Sequence, residues 1–421
     1  MESVKRWLID NGGWLLVASV VVLLTTRRLY NLPLLVLALT ALYLLARQWR
    51  TIIARSEMRL LLLLFALLWM PMVLALTGAV SLERSLSTVV PYPRFLLGGI
   101  TLLWLLNGRM ARERLHVAVV ALLSLWSIDA MWQYLSGHNI LGYPYNGERL
   151  NGFFYPDFRL GPELAVFLPV YLEGLRRWGR RHWWLWLLLI PYLSAIFLSG
   201  TRSAWVLLAV GLLLYLWYLG RLGYLKRVKA VVWGALAIGV VSLVLFASTD
   251  EAVRERLQKS AGLFSTDIES IDNATAQRVS IWQVAMLMVE DHWLTGVGPR
   301  GFRYVFMDYA PEDNYWKNLR RPLAPNQPHL VGLEVLVETG VVGIVGFLAF
   351  FWVLITYAAK RTSGFRSDAV PWLIAALVAL FPLNTYLALY ASYWSSLSWW
   401  LLLVALAMMS GGDGDERDNA D

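Results

Sequence analysis

"SGTRSAWVLLAVGLLLYLW", residues 199–217, places an arginine where two apolar runs meet. The run after Arg202 is long enough to enter a hydrocarbon core of ~30 Å, and the run ending in "FLSGT" approaches it from the other side. So tight a junction has no room for a solvated loop. A guanidinium held near a membrane is costly unless an anion meets it. Arg202 therefore has two readings: a side chain snorkelling to the headgroups, or an anion ligand. Phosphate suits the planar fork best.

Apolar runs of this kind recur along nearly the whole chain of 421 residues, 58% of which are hydrophobic. Twelve spans are expected, at 13–26, 29–46, 60–80, 95–106, 115–135, 160–175, 183–200, 201–219, 230–248, 340–359, 369–387 and 395–409. The short alternating segments of a β-barrel are absent. The fold class expected is an all-α polytopic membrane protein with about 12 transmembrane helices. The N-terminal run has no small-residue cleavage site and is read as a retained helix. Most of the 22 tryptophans, as in "HWWLWLLL" and "SYWSSLSWW", are read as interfacial anchors.

Charge sets the orientation. With Lys5 and Arg6 in the cytoplasm, the even-numbered connections are cytoplasmic. They carry Arg47/Arg50/Arg55/Arg59, Arg109/Arg112/Arg114, Arg176/Arg177/Arg180/Arg181, Arg221/Lys226/Arg227/Lys229 and Lys360/Arg361/Arg366. This satisfies the positive-inside rule with both chain ends inside. The formal charge of +8 is thereby absorbed by topology and does not point to nucleic acid. Four segments follow: residues 1–248 with spans one to nine, a large outer loop at 249–328, residues 329–409 with an outer helix and spans ten to twelve, and a disordered cytoplasmic tail at 410–421. A loop of about 80 residues far exceeds an ordinary connection and usually carries function. Its helical stretch "AQRVSIWQVAMLMVEDHW" sets Arg278, Trp282, Ala285 and Val289 on one side.

Several soluble-enzyme signals fall away. "GVGPRG" at 296–301 matches G-x-G-x-x-G but lacks a surrounding βαβ unit, so it is a loop with turn glycines. "DGD" at 413–415 sits in a loose tail, and zero cysteines rule out thiolate ligands and disulfides. No metal, nucleotide or other cofactor is expected. The outer loops instead collect cations: Arg278, Arg300, Arg303, Lys317, Arg320 and Arg321 in the large loop, and Arg149 and Arg159 in "SGHNILGYPYNGERLNGFFYPDFR" at 136–159. Such surfaces suit a negatively charged lipid substrate. His329, one of five histidines, opens "HLVGLEVLVETGVVG". Pro328 disfavours helix just before it, so His329 lies near a helix start. At 100° per residue, Gly332, Leu336, Gly340 and Gly343 share its face, while Glu334 and Glu338 project away. Position alone leaves His329 open between a structural and a catalytic ring.

The order of these pieces resembles the O-antigen ligase/polymerase superfamily of bacterial envelope glycosyltransferases. The carriers are "SGTR" with Arg202, R-x3-W from Arg278 to Trp282, "DHWLTGVGPRGF", and His329 followed by Gly340–Gly343. The stretch "RLNGFFYPDFRLG" is similar to the family's Gly-Phe segment. Two positions depart: Leu330 stands where the family often has Asn, Ser or Gln, and Trp282 where it often has Leu. The resemblance implies a GT-C-like glycosyltransferase of the bacterial inner membrane with its active site facing the periplasm. It implies transfer of a glycan from undecaprenyl pyrophosphate to a sugar hydroxyl of lipid A–core, with inversion and without a metal. Arg202 and Arg278 would hold the diphosphate, and His329 would take the proton from the attacking hydroxyl. Arg149, Arg159, Arg300, Arg303 and Arg321 would add substrate contacts. A polymerase, whose acceptor is a second carrier-linked repeat, or a protein-glycosylating enzyme would use the same site. A transporter or flippase is the distant alternative, expected to show inverted repeats and midplane charges.

Overall fold

A computed structural model describes residues 2–224 and 265–410, with scattered positions between 225 and 264. The expected span at 230–248, the start of the long loop and the acidic tail lie outside or largely outside these described residues. The described chain is helical, without a named strand. Its helices are α1 (Glu2–Leu23), α2 (Asn31–Ala54), α3 (Ser56–Leu74), α4 (Leu82–Val89), α5 (Arg94–Leu105), α6 (Arg109–Ser136), α7 (Leu160–Trp178), α8 (Leu189–Leu198) and α9 (Arg202–Arg221). Then come α10 (Ile268–Ala274), α11 (Arg278–Asp291), α12 (Phe302–Tyr309), α13 (Val331–Arg361), α14 (Val370–Ala379) and α15 (Ser392–Ser410).

Among the described residues, seven helical segments are long and apolar enough to cross a membrane: α2, α3 with its 3-10 extension to Gly78, the Leu82–Leu105 pair α4–α5, α6, α9, α13 and α15. Gly12–Leu23, Trp183–Leu198 and Val370–Ala379 are apolar but shorter. The chain is a multi-pass membrane protein. The expected span at 160–175 is α7, which is not among the seven. Its composition is diluted by Glu163 and Glu173, yet every residue from Leu160 to Leu175 is buried. It packs on α6, α8, α9 and α14. A helix enclosed on all sides by others has no lipid-facing stripe to keep apolar.

The expected span at 369–387 is helical only to Ala379. Pro382 lacks an N–H and disfavours helix at the residue before it, so 380–391 runs as irregular chain. Irregular backbone survives at membrane depth only where protein satisfies it, and the start of α13 does so here. Val331 N donates to Asn384 O (3.0 Å) and Gly332 N to Pro382 O (2.8 Å). Glu334 accepts from Leu389 N (2.8 Å) and Tyr390 N (3.2 Å).

α13 is itself broken. Gly340 has φ 65° and ψ −165°, a conformation only glycine adopts readily. The helical projection that placed Gly340 and Gly343 on the His329 face therefore does not continue past the break. The freed backbone groups are met by the turn after α11. Val341 N donates to Trp293 O (2.8 Å), Val342 N to Leu294 O (3.3 Å), and Val297 N to Val337 O (2.8 Å). A Cβ on Gly340 would run into the Leu294 carbonyl, and one on Gly296 into the backbone of Val337 and Glu338. The glycines of "GVGPRG" thus serve close backbone docking. α11, α12 and this turn enclose a small apolar cluster of their own, including Ile281, Val284, Met288, Phe302 and Phe306, with Val337 of α13.

The basic connections gather at one end of the bundle. Arg177 bridges Glu113 (3.3 Å) and Asp368 (2.8 Å), Arg221 donates to Gly364 O (3.2 Å), and Arg112 reaches Ala407 O (3.5 Å). The starts of α2, α5, α7, α9, α13 and α15 lie at the opposite end, as do the loop at 136–159 and the cluster of α10–α12.

Candidate functional site

Arg202 begins α9 at the non-basic end of the bundle. Its Nη1 donates to Ala274 O, the last residue of α10. This contact seats the α10–α11 turn on the start of α9. The turn is sharp: Ala276 and Gln277 both have positive φ, at 61° and 62°. It is held by side chains. Asp272 accepts from Ser280 N (3.2 Å) and from the Ser280 hydroxyl, and Trp316 Nε1 donates to Gln277 O (3.0 Å). Arg278 emerges at the first position of α11, aimed back into the bundle, where its Nη1 donates to Thr385 Oγ1 (2.8 Å) on the irregular 380–391 segment.

His329 lies two residues before α13 with φ 54°. Strained backbone of this kind persists when neighbours over-determine it. Trp282, one turn after Arg278, donates its Nε1 to Pro328 O (3.0 Å). A leucine, the residue often found at that place in the family the sequence resembles, has no such donor. The imidazole is held by Gln327, whose Nε2 donates to Tyr386 O (3.0 Å) and lies 3.0 Å from His329 Nδ1. An amide nitrogen brings only hydrogens. With the amide in this orientation Nδ1 accepts and the neutral ring carries its proton on Nε2; the Thr385 and Tyr386 backbone also hydrogen-bonds the ring. Neither Glu334 nor Glu338 orients the ring. Glu334 holds the 389–390 backbone, and Glu338 accepts from Arg300 N.

Electrostatics ties the three residues together. Burial, and then the neighbouring Arg202, push the Arg278 guanidinium down to about 10. Burial, and then Arg278, push the His329 imidazole down to about 4. An ordinary histidine lies at ~6.5; the structure places this ring in a drier and more positive setting. Burial is the larger cause of both shifts and a neighbouring guanidinium the smaller; an anion bound beside these groups would raise both.

The other expected contacts divide. Arg159 stands over the Tyr393 ring (3.8 Å to its centroid) and pairs with Asp157 (2.9 Å). Arg149 stacks on Phe158 (5.1 Å). Tyr386 donates its hydroxyl to Phe158 O (3.0 Å), so the 136–159 loop meets the segment carrying Thr385. Arg300 points elsewhere, into a groove with Arg84. Arg303 bonds Asn326 Oδ1 (3.1 Å) and Tyr304. Arg321 is exposed. Gln327 and Thr385 escaped the sequence reading. A polar residue two before the histidine, in "NQPH", was the only local signal for Gln327, and Thr385 had none.

No curated protein matches the chain. Residues 186–348 match a family model described as O-antigen ligase, a stretch that contains Arg202, Arg278, Gln327 and His329. Over residues 186–348 the chain is similar to this O-antigen ligase family, and the structure gathers these four residues at one end of a helical membrane bundle.

Proposed function

We propose that this protein is an O-antigen ligase of the bacterial inner membrane, transferring a glycan from undecaprenyl pyrophosphate to a sugar hydroxyl of lipid A–core. The observation that carries this reading is the proximity of Arg278, drawn from a separate segment, to both Arg202 and His329, with Arg278 donating to Thr385. The site would face the periplasm, opposite the basic end of the bundle.

In this mechanism Arg202 and Arg278 grip the diphosphate and stabilise the charge that grows as the anomeric C–O bond breaks. The leaving group is already activated, so no nucleotide is consumed. The acceptor hydroxyl attacks from the opposite face, inverting the anomeric carbon, and His329 takes its proton. His329 is neutral near pH 7, as a base must be. The bound diphosphate offsets Arg278 and raises the basicity of the ring when the substrate is present. Gln327 engages Nδ1, so proton acceptance requires either that it release that nitrogen or that the ring exchange tautomers. Arg149 and Arg159, on the loop that meets Tyr386, would contact the donor or acceptor glycan.

The test offers purified protein an undecaprenyl-pyrophosphate glycan with lipid A–core in one tube and with only more carrier-linked repeat in the other. Product on lipid A–core alone supports the ligase. Lengthened carrier-linked glycan alone makes the enzyme a polymerase with the same site. His329→Ala should retain donor binding and lose transfer; a variant that kept most of its rate would remove the general-base role.

A further inference from the structure

A groove of about 610 Å³ opens at the same end of the bundle, away from Thr385, and is lined by Arg28, Arg84, Arg94 and Arg300. Its cations come from four places: the turn before α2, α4, the start of α5, and the turn before α12. Three have buried nitrogens without a hydrogen-bond partner: Nε of Arg84, Nε of Arg94, and Nε and Nη1 of Arg300. Arg94 uses its outer nitrogens on Pro91 O (2.9 Å) and Ser392 Oγ (3.1 Å). None of the four has a carboxylate within ion-pair distance among the described residues. The nearby acids are Glu334, engaged by the Leu389 and Tyr390 N–H groups, and Glu338, which accepts from the Arg300 backbone N–H and keeps its other oxygen without a hydrogen bond. Arg84 also feels the charges of Arg300 and Arg303. Like charges gathered in a partly dry groove are costly unless an anion completes them.

The remaining lining identifies the rest of the ligand. Leu29, Leu32 and Leu35 border the groove and are about half exposed, at 56%, 57% and 51%. Leu32 and Leu35 lie one turn apart on α2, which is long and apolar enough to cross a membrane. A cationic pocket that opens onto lipid-facing leucines matches an amphiphile with an anionic head and an apolar tail.

We propose that this groove binds the phosphate headgroup of a membrane lipid, at a site separate from Arg202, Arg278 and His329. The inference does not depend on the transfer reaction, and its test reads binding alone. The full-length protein in phosphatidylcholine nanodiscs is titrated with fluorophore-labelled phosphatidic acid and, separately, with inorganic phosphate.

Wild-type protein should bind the labelled lipid at least tenfold more tightly than Arg84→Gln/Arg300→Gln, while Arg278→Gln matches wild type. If inorganic phosphate binds as tightly as the lipid with the same dependence on Arg84 and Arg300, the groove is a phosphate site without a lipid requirement, and the lipid assignment is overturned. Affinity for the lipid within twofold of wild type in the double variant, or an equal loss from Arg278→Gln, overturns the site. Arg28 is exposed, so Arg28→Glu tests the groove without disturbing the packed core. It should lose about tenfold in lipid affinity, and an unchanged affinity counts against the proposal even if the double variant fails to fold.

Discussion

The two ends of the helical bundle treat arginine in opposite ways. At the basic end, Glu173 is fully buried and takes Nε and Nη2 of Arg176 (2.8 and 2.6 Å), Nε of Arg177 (3.0 Å) and the Tyr215 hydroxyl (3.1 Å). Arg177 then reaches on to Glu113 and Asp368. Glu173 and its two arginines thus form a clamp across α6, α7, α9 and the start of α14. At the other end, Arg278 donates to a threonine hydroxyl, Arg94 to a serine and a carbonyl, and Arg84 and Arg300 keep buried nitrogens without partners. Arg159, paired with Asp157, and Lys317, paired with Glu312, are exceptions. Cations satisfied by the protein hold the fold; cations left for something else mark where an anion goes.

The sharpest way to break this contrast is at His329. His329→Ala should cost ~10³-fold in transfer, within the usual range for losing a general base, with the thermal unfolding midpoint unchanged. Arg278→Ala should cost about 10²-fold and weaken binding of the lipid-linked donor as well, measured by donor titration and single-turnover assay. Normal donor affinity would detach Arg278 from the diphosphate.

The pH profile is a finer probe of the same positive pocket. The free-enzyme imidazole is pushed down to about 4, and its neutral form is the active one. The acid limb of kcat/KM should therefore fall as pH drops through about 4, leaving activity intact between pH 5 and 6.5. A limb at the ordinary ~6.5 would show a ring without the burial and the Arg278 contact described here.

At the opposite end the roles of activity and stability reverse. Glu173→Ala should cost about 3 kcal/mol of stability, because it takes the carboxylate from the Arg176 guanidinium and the Tyr215 hydroxyl and one of three from Arg177. Transfer per folded molecule should not change. A loss of activity without a loss of stability would end the distinction between the two ends. Smallest of all, Gln327→Ala should cost roughly tenfold in kcat by freeing the ring, and about 1 kcal/mol by leaving Tyr386 O without its donor. A conventional unfolding scan beside the rate measurement separates the two effects.

The amino-acid sequence by itself determined that the chain is helical and crosses a membrane repeatedly, because apolar length and loop charge are local properties. It also singled out Arg202, by the shortness of its turn, and His329, by its place after Pro328. Tertiary structure decided the rest. The sequence at 160–175 reads as one more span, yet only packing made α7 a helix enclosed within the protein. The run at 369–387 reads as continuous, but its second half is an irregular segment that depends on the start of α13 for hydrogen bonds. That segment carries Thr385 and Tyr386, so the partners of Arg278 and Gln327 are set by residues far away in the chain. The low basicity of His329 and the clustering of Arg28, Arg84, Arg94 and Arg300 have the same origin. Burial and charge proximity are properties of surfaces brought together, and no local pattern in the sequence encodes which distant surface will arrive.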